Sequence, residues 1–279
     1  MCRVGRIPSL SLEDVAEAIQ EVAEETVVRR FRELRPDEIE EKAQGEVVTT
    51  ADRECEAALT LRLQNIFRLP VVGEEASALK PELLDVLRSG TSCWIVDPID
   101  GTSNFAIGNP NYAIMVAYLH NGSLAASWIW VPSRGVMYIA EDHNGAYRNG
   151  EPLAHPKHTA GAHSMTGIIK ERFLPDIVRS RLAVHSSETG STVAGSNCAG
   201  IEYPQIAEGA VDYILYWRTF PWDHAPGVLL ARETGHNAVR FDGLEYTPSS
   251  SGAGLLVAPS DSTDELRSAL GLSGIVHTE

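Results

Sequence analysis

Trp94-Ile95-Val96-Asp97-Pro98-Ile99-Asp100-Gly101-Thr102 begins as an apolar run and turns abruptly acidic. Cys93 to Val96 reads as a buried strand that stops at Asp97. Pro98 fixes its own φ and biases Asp97 toward extended backbone. Asp97 and Asp100 are then held either side of a tight turn, where Ile99 can offer only its carbonyl. Gly101 permits close backbone approach. Thr102, Ser103 and Asn104 are helix-capping residue types, and a short helix starting there would aim free N–H groups at a phosphate. Two other apolar runs end in acid, Val71-Val72-Gly73-Glu74-Glu75 and Phe220-Pro221-Trp222-Asp223. A carboxylate at a buried strand end is costly unless it is paired or metal-bound. Three such ends on one sheet rim would make a cation site. Oxygen donors, with no His or Cys at ligand spacing, favour Mg²⁺, Mn²⁺ or Ca²⁺ over zinc.

Outward from this stretch, the pattern predicts a helix over 11–34, opened by Ser11 with Asp14 and ended by Pro36. A second helix over 52–67 opens at Asp52. Leu69 to Val72 is a short strand, and 81–88 a short helix. Asn111 to Leu119, Ser123 to Val131 and Gly135 to Ala140 form an antiparallel meander, turned at Asn121-Gly122 and Pro132-Ser133-Arg134-Gly135, with a further turn at Asn149-Gly150. Beyond residue 160, the expected order is strand 165–169, helix 171–181, helix 198–209, strand 211–215 and a helix over 224–235 ending at Gly235. This mixture, free of internal repeats, is a layered α+β architecture.

The 279 residues suffice for one large domain or two joined subdomains. The expected division is an N-terminal α+β part over 1–150, with most of the acidic candidates, and a C-terminal α/β part over 151–279 that completes the site. With 23 Lys and Arg against 38 Asp and Glu, the formal charge is −15. That charge repels nucleic acid and anionic membranes. A small anionic substrate remains open, because a bound cation inverts the local field. Cys2, Cys55, Cys93 and Cys198 form no metal-binding or disulfide pattern, and Cys93 reads as core. No apolar stretch reaches membrane-span length, and charge recurs from Arg3 onward, so a cytoplasmic protein is expected.

Gly73-Glu74-Glu75, Asp97 through Thr102, and Trp222-Asp223 with Gly227 occur in an order that resembles the motif set of the inositol monophosphatase family. That family belongs to the lithium-sensitive, magnesium-dependent phosphatases. Gly45 through Asp52 is similar to its upstream motif and Gly195-Ser196 to its substrate-side motif. The resemblance covers nearly the whole chain. It implies an α-β-α-β-α sandwich with a mostly antiparallel N-terminal sheet and a second, mixed sheet. It also implies a homodimer and a phosphomonoesterase for a small phosphorylated metabolite, using two or three Mg²⁺ ions, with Mn²⁺ as a substitute. By resemblance, Glu74, Asp97, the Ile99 carbonyl, Asp100 and Asp223 hold metal, and Glu74 helps activate water. Thr102, oriented by Asp52, positions that water. Amides of Gly101 and Thr102 hold the phosphate, and Asp100, Gly195, Ser196, Tyr216 and Arg218 face the substrate.

Several residues depart from the family pattern. Inositol enzymes carry Glu a few residues before Trp-Asp, where this chain has Tyr216, then Trp217 and Arg218. Asn197 stands where Ala is frequent, and His224 and Pro226 replace small residues. These departures leave a polyol or sugar phosphate as the leading substrate class. Histidinol phosphate, fructose 1,6-bisphosphate, a 3′-nucleotide and a non-catalytic regulatory binding role are the alternatives. Arg218 would read a second anionic group or be a surface cation. Read alone, Glu75 is a solvated residue or an outer neighbour of the metal ligands, Asp52 and Asp223 are helix caps, Tyr216 and Trp217 are core or interface residues, and the histidines are surface or structural.

Overall fold

In the computed structural model, residues 10–43, 46–156, 161–185, 188–250 and 254–275 are described; Cys2 and Gly45 lie outside them. Ser11 caps α1 (Leu12–Thr26) by accepting the Asp14 amide at 3.1 Å. The apolar periodicity runs to residue 34, yet the helix stops at Thr26 and a 3₁₀ turn follows over Val28–Arg30. Thr26 donates its hydroxyl to the Val22 carbonyl at 2.7 Å and opens a β-branched run, both of which disfavour further helix. Strands β1 (Ile39–Ala43) and β2 (Glu46–Thr49) then pair antiparallel, a ribbon that periodicity had not revealed. Helix α2 (Thr50–Ile66) starts at a Thr49 cap, so Asp52 is not its opening residue. It stands three residues in and returns a bond to the Thr49 amide.

Next come β3 (Val71–Gly73), α3 (Glu74–Leu79) and a 3₁₀ turn over Pro81–Leu84 that leads into α4 (Asp85–Arg88). β4 (Cys93–Asp100) continues past the expected stop at Asp97. After α5 (Thr102–Ala106), strands β5 (Ala113–His120), β6 (Ser123–Val131) and β7 (Val136–Glu141) form the meander, extended by β8 (Gly145–Arg148) and β9 (Glu151–Pro152). The second half runs β10 (Gly167–Ile169), α6 (Asp176–Val184), β11 (Thr192–Val193), α7 (Ala199–Ala207), β12 (Tyr213–Tyr216), α8 (Pro221–Arg232), β13 (His236–Arg240), β14 (Leu255–Pro259) and α9 (Thr263–Ala269). Two helix boundaries here differ from the pattern, each at a proline. Pro175 caps α6, so residues 171–173 are only a 3₁₀ turn. Pro221 takes the first turn of α8, where its missing N–H costs nothing. That helix therefore starts and ends earlier than 224–235.

The seven-stranded sheet has the order β3-β4-β5-β6-β7-β8-β9, antiparallel except for the β3–β4 pair. The five-stranded sheet, β11-β10-β12-β14-β13, is mixed. Val15, Ile19 and Val22 of α1 and Leu59 and Leu63 of α2 pack with Trp94, Val116 and Trp128 on one face of the larger sheet. Both indoles also find acceptors, Trp128 Nε1 at Leu12 O (3.0 Å) and Trp94 Nε1 at Phe67 O (3.3 Å). Helices α7 and α8 fill the space between the sheets through Ile201, Ile206, Val228 and Leu229, against Ile95, Met115 and Ile129 on one side and Ile214 and Val257 on the other. Val178 of α6 and Leu266 of α9 cover the outer face over Leu215 and Leu256. The result is five layers, α-β-α-β-α, as the resemblance implies.

The two middle helices approach closely at Gly227, where an added Cβ would lie 2.0 Å from Tyr203 Cδ2. Gly227→Ala is expected to overpack this seam and destabilise the protein by about 2 kcal/mol. Urea unfolding checks this as a lower midpoint with an unchanged m-value.

Candidate active site

The acidic strand ends meet for a reason of register. β3 and β4 run parallel with Gly73 opposite Val96, so the next residues, Glu74 at the start of α3 and Asp97 still within β4, follow side by side. Between Asp97 and Asp100 the register against β5 slips, because these two residues face Met115 and Ala113. Three steps on β4 match two on β5, which is a bulge. The bulge absorbs Pro98, which has no N–H for the ladder. Asp223 enters from the first turn of α8, close enough to Asp97 for its charge to push the Asp97 carboxyl up. It is not a helix cap, since Phe220 holds that position.

Gly101 caps α5 at φ 82°, a conformation that Gly tolerates without strain. The cap is therefore Gly101, and Thr102 is the first helical residue. Thr102 Oγ1 lies 2.9 Å from Asp52 Oδ1 and 2.8 Å from the Ile99 carbonyl. The other Asp52 oxygen accepts the Thr49 amide at 2.8 Å and the Thr49 hydroxyl at 2.5 Å. Asp52 is thus a helix-capping partner and the orienting neighbour of Thr102 at once.

Burial pushes all these acids up, and their mutual repulsion adds to it. Asp52 and Asp100 are each pushed up to about 6, and Asp223 to about 8. Glu74 and Asp97 rise well above the usual carboxylate range, first by burial. For Glu74, the nearby Lys42 charge works in the opposite direction. Asp97 Oδ1 is buried with no hydrogen-bond partner. A crowded oxygen-only donor set with one orphaned oxygen fits a hard divalent cation.

Several contributors carried no signal in the sequence. Lys42 of β1 reaches 3.4 Å from Glu74 Oε1 and forms an ion pair with Glu75. Glu75 is buried, not solvated. Glu56 accepts the amides of Glu75 (2.7 Å) and Ala76 (2.8 Å), and so anchors the first turn of α3. Asp100 Oδ2 accepts the Gly200 amide at 2.5 Å and the Cys198 thiol at 3.0 Å. The substrate-side calls fare differently. Ser196 Oγ turns inward to the Cys198 carbonyl (3.0 Å), and Gly195 lies beside Glu202 and Lys170. Tyr216 is buried and donates to Glu202 Oε2 at 2.9 Å. Arg218 is committed to an ion pair with Glu46, its guanidinium 3.6 Å above the Phe173 ring. His224 is a core group between the Tyr203 hydroxyl (3.0 Å) and the Arg218 carbonyl (2.9 Å), and burial lowers it to about 4. A separate trio, Asp142, His143 and Glu233, also brings ligand atoms within 4.8 Å of one another. There, both Glu233 oxygens accept backbone amides, of His143 (2.9 Å) and Gly145 (2.8 Å), which is the bonding of a loop clamp.

Residues 10–270 match the description of the inositol monophosphatase family across nearly all of this geometry. The chain belongs to the inositol monophosphatase family. Its members are metal-dependent phosphoric monoester hydrolases, and so this chain is an enzyme of that class. The chain is 29% identical over 222 residues to a Thermotoga maritima protein named fructose-1,6-bisphosphatase/inositol-1-monophosphatase, covering 76% of this chain and 78% of that protein. It is 31% identical over 209 residues to the Bacillus subtilis inositol-1-monophosphatase, covering 73% and 76%. The fold of inositol monophosphatase-II from Staphylococcus aureus superposes with a TM-score of 0.76 at 23% identity, covering 93% of this chain and 92% of that one. Among the described residues, no helix is long and apolar enough to cross a membrane.

The crowding has a consequence that does not depend on catalysis. A carboxyl whose folded pKa is raised destabilises the fold as pH climbs above its unfolded value, near 4. In chelator, stability is therefore expected to fall as pH rises from about 4 to 8. Asp97→Asn is expected to recover about 1 to 3 kcal/mol at pH 8. Urea unfolding in chelator measures both effects; equal or lower stability of the variant would contradict them.

Proposed function

We propose that this enzyme hydrolyses a small polyol or sugar phosphate with Mg²⁺ held by Glu74, Asp97, the Ile99 carbonyl, Asp100 and Asp223. The observation that carries the reading is the orphaned Asp97 Oδ1 within a cluster of buried acids. Each nearby cation is already paired with a different acid: Lys42 with Glu75, Lys170 with Glu202 and Arg218 with Glu46. Beyond the 3.4 Å contact of Lys42 with Glu74, the four acids of the cluster have no ion pair among the described residues. A bound divalent cation neutralises the substrate phosphate and makes hydroxide available near neutral pH.

The chain's own residues supply position and polarity. Asp52 orients the Thr102 hydroxyl, leaving Thr102 Oγ1 able to hold the attacking water in one place. Gly101 lets the backbone approach the phosphate, whose oxygens meet the amides of Gly101 and Thr102. The fructose and inositol substrates in the relatives' names agree with this class. A binding-only role would not require the acids to stay crowded at such cost.

Phosphate release from inositol 1-phosphate and fructose 1,6-bisphosphate, with Mg²⁺ and with chelator, tests the reading. No turnover on any phosphomonoester with Mg²⁺ present would refute it. Asp97→Asn is expected to stay folded and lose about 10³-fold or more in kcat/KM. Because Asp100 and Asp223 reach about 6 and about 8, the metal must displace their protons. Apparent Mg²⁺ affinity is therefore expected to rise between about pH 6 and 8 and then level off. Calorimetry in buffers of different ionisation heat should show net proton release on binding at pH 7. Cys198→Ala removes a donor to Asp100 and should weaken Mg²⁺ binding about three- to tenfold, whereas Cys198→Ser should hold it within about twofold.

A further inference from the structure

Next to Asp100 lies a buried acid that the proposed chemistry does not use. Glu202 of α7 has no exposed surface. Its Oε2 accepts the Tyr216 hydroxyl at 2.9 Å. Its Oε1 accepts the Asn197 amide at 3.1 Å and the Lys170 ammonium at 2.7 Å. A carboxylate this deep is costly without a cation, and Lys170 supplies one. Lys170 follows the end of β10 and also donates to Asn197 Oδ1 at 3.1 Å. Two of its three N–H bonds are thereby used; the third has no acceptor among the described residues, and the side chain keeps 22% of its surface open. Its charge reaches Asp100, where it opposes the effect of burial. Gly195 keeps the space beside it clear, since a Cβ there would lie 3.0 Å from Lys170 Nζ.

At the same wall Tyr216 turns its hydroxyl into Glu202 and offers no acceptor of its own outward. Arg218, the other cation of this region, is spent on Glu46 and Phe173. We propose that Lys170, positioned by Glu202 and Asn197, binds a second anionic group of the substrate, a phosphate or a carboxylate separate from the phosphate being cleaved. This inference rests on the phosphatase reading above and narrows it to doubly anionic substrates.

Two matched pairs of esters test it in the full-length enzyme with Mg²⁺. Fructose 1,6-bisphosphate against fructose 1-phosphate isolates a second phosphate, and 3-phosphoglycerate against glycerol 3-phosphate isolates a carboxylate. In at least one pair the dianionic-group member is expected to have a tenfold or greater advantage in kcat/KM, expressed mainly in KM. Lys170→Met should cut that advantage at least tenfold, and Lys170→Arg should restore most of it. Because Lys170→Met strands Glu202 without a cation, the double variant Lys170→Met with Glu202→Gln removes both charges and should show the same lost preference. Turnover without preference in either pair, or an equal loss on both members of the preferred pair, overturns the inference and leaves the phosphatase reading standing. No turnover of any of the four esters overturns the inference, and no turnover of inositol 1-phosphate either overturns the phosphatase reading as well.

Discussion

Repulsion among buried carboxylates is the constraint on which the rest of the structure depends. Glu74, Asp97, Asp100 and Asp223 converge, each pushed up by burial and by at least one neighbouring acid. Left to local forces, such groups would move apart into water. They are held by elements too well packed to yield. The β3–β4 register fixes two of them, the bulge before Asp100 fixes the third, and α8, wedged between the sheets, fixes the fourth. The large apolar interior therefore does electrostatic duty as well as supplying stability: it keeps acids together that no local interaction would.

The connections between the two halves of the chain serve the same end. The Cys198 thiol and Gly200 amide of the second half bond Asp100 of the first. Asn104, just after the acidic turn, donates to the Ser196 carbonyl at 2.8 Å. Asp52 ties α2 to α5 by spending one oxygen on its own helix cap and the other on Thr102. These bonds leave the acids few ways to relax, so their proton affinities are properties of the whole fold.

The legible parts of the sequence were those in which local chemistry and tertiary demand agree. Asn121-Gly122 turns a hairpin, and Ser11 caps a helix, in the conformations their residue types favour. The three acidic ends of apolar runs were visible because acid beside an apolar run is locally expensive, although the third, Asp223, lies in the first turn of α8 and not at a strand end. The missed features lack that contrast. The β1–β2 ribbon alternates weakly, since Glu40, Glu41 and Glu46 dilute its apolar positions. α1 stops at Thr26 because rotamer restriction outweighs a continuing apolar stripe. Lys42, Glu56 and Glu202 belong to no motif of the sequence. Their roles arise from partners 32, 19 and 32 residues away, and no local pattern encodes such a distance.

A formal charge of −15 and an anionic substrate can coexist because the cations are placed unevenly. Lys170 and Arg218 near the acid cluster are each matched by an acid outside it, and Lys42 is shared between Glu75 and Glu74. Their value is therefore directional. Lys42, against Glu74 and Glu75, stands at the end of α3 where the acids crowd. Lys170 stands beside Asp100, half committed to a carboxylate that has no exposed surface. Glu202 cannot follow Lys170 outward, so it holds the ammonium at a fixed place and cannot screen its outer side. An arginine free on the surface would add charge but no position. An ammonium held from behind by a buried acid adds both, and selectivity between small phosphate esters depends on position.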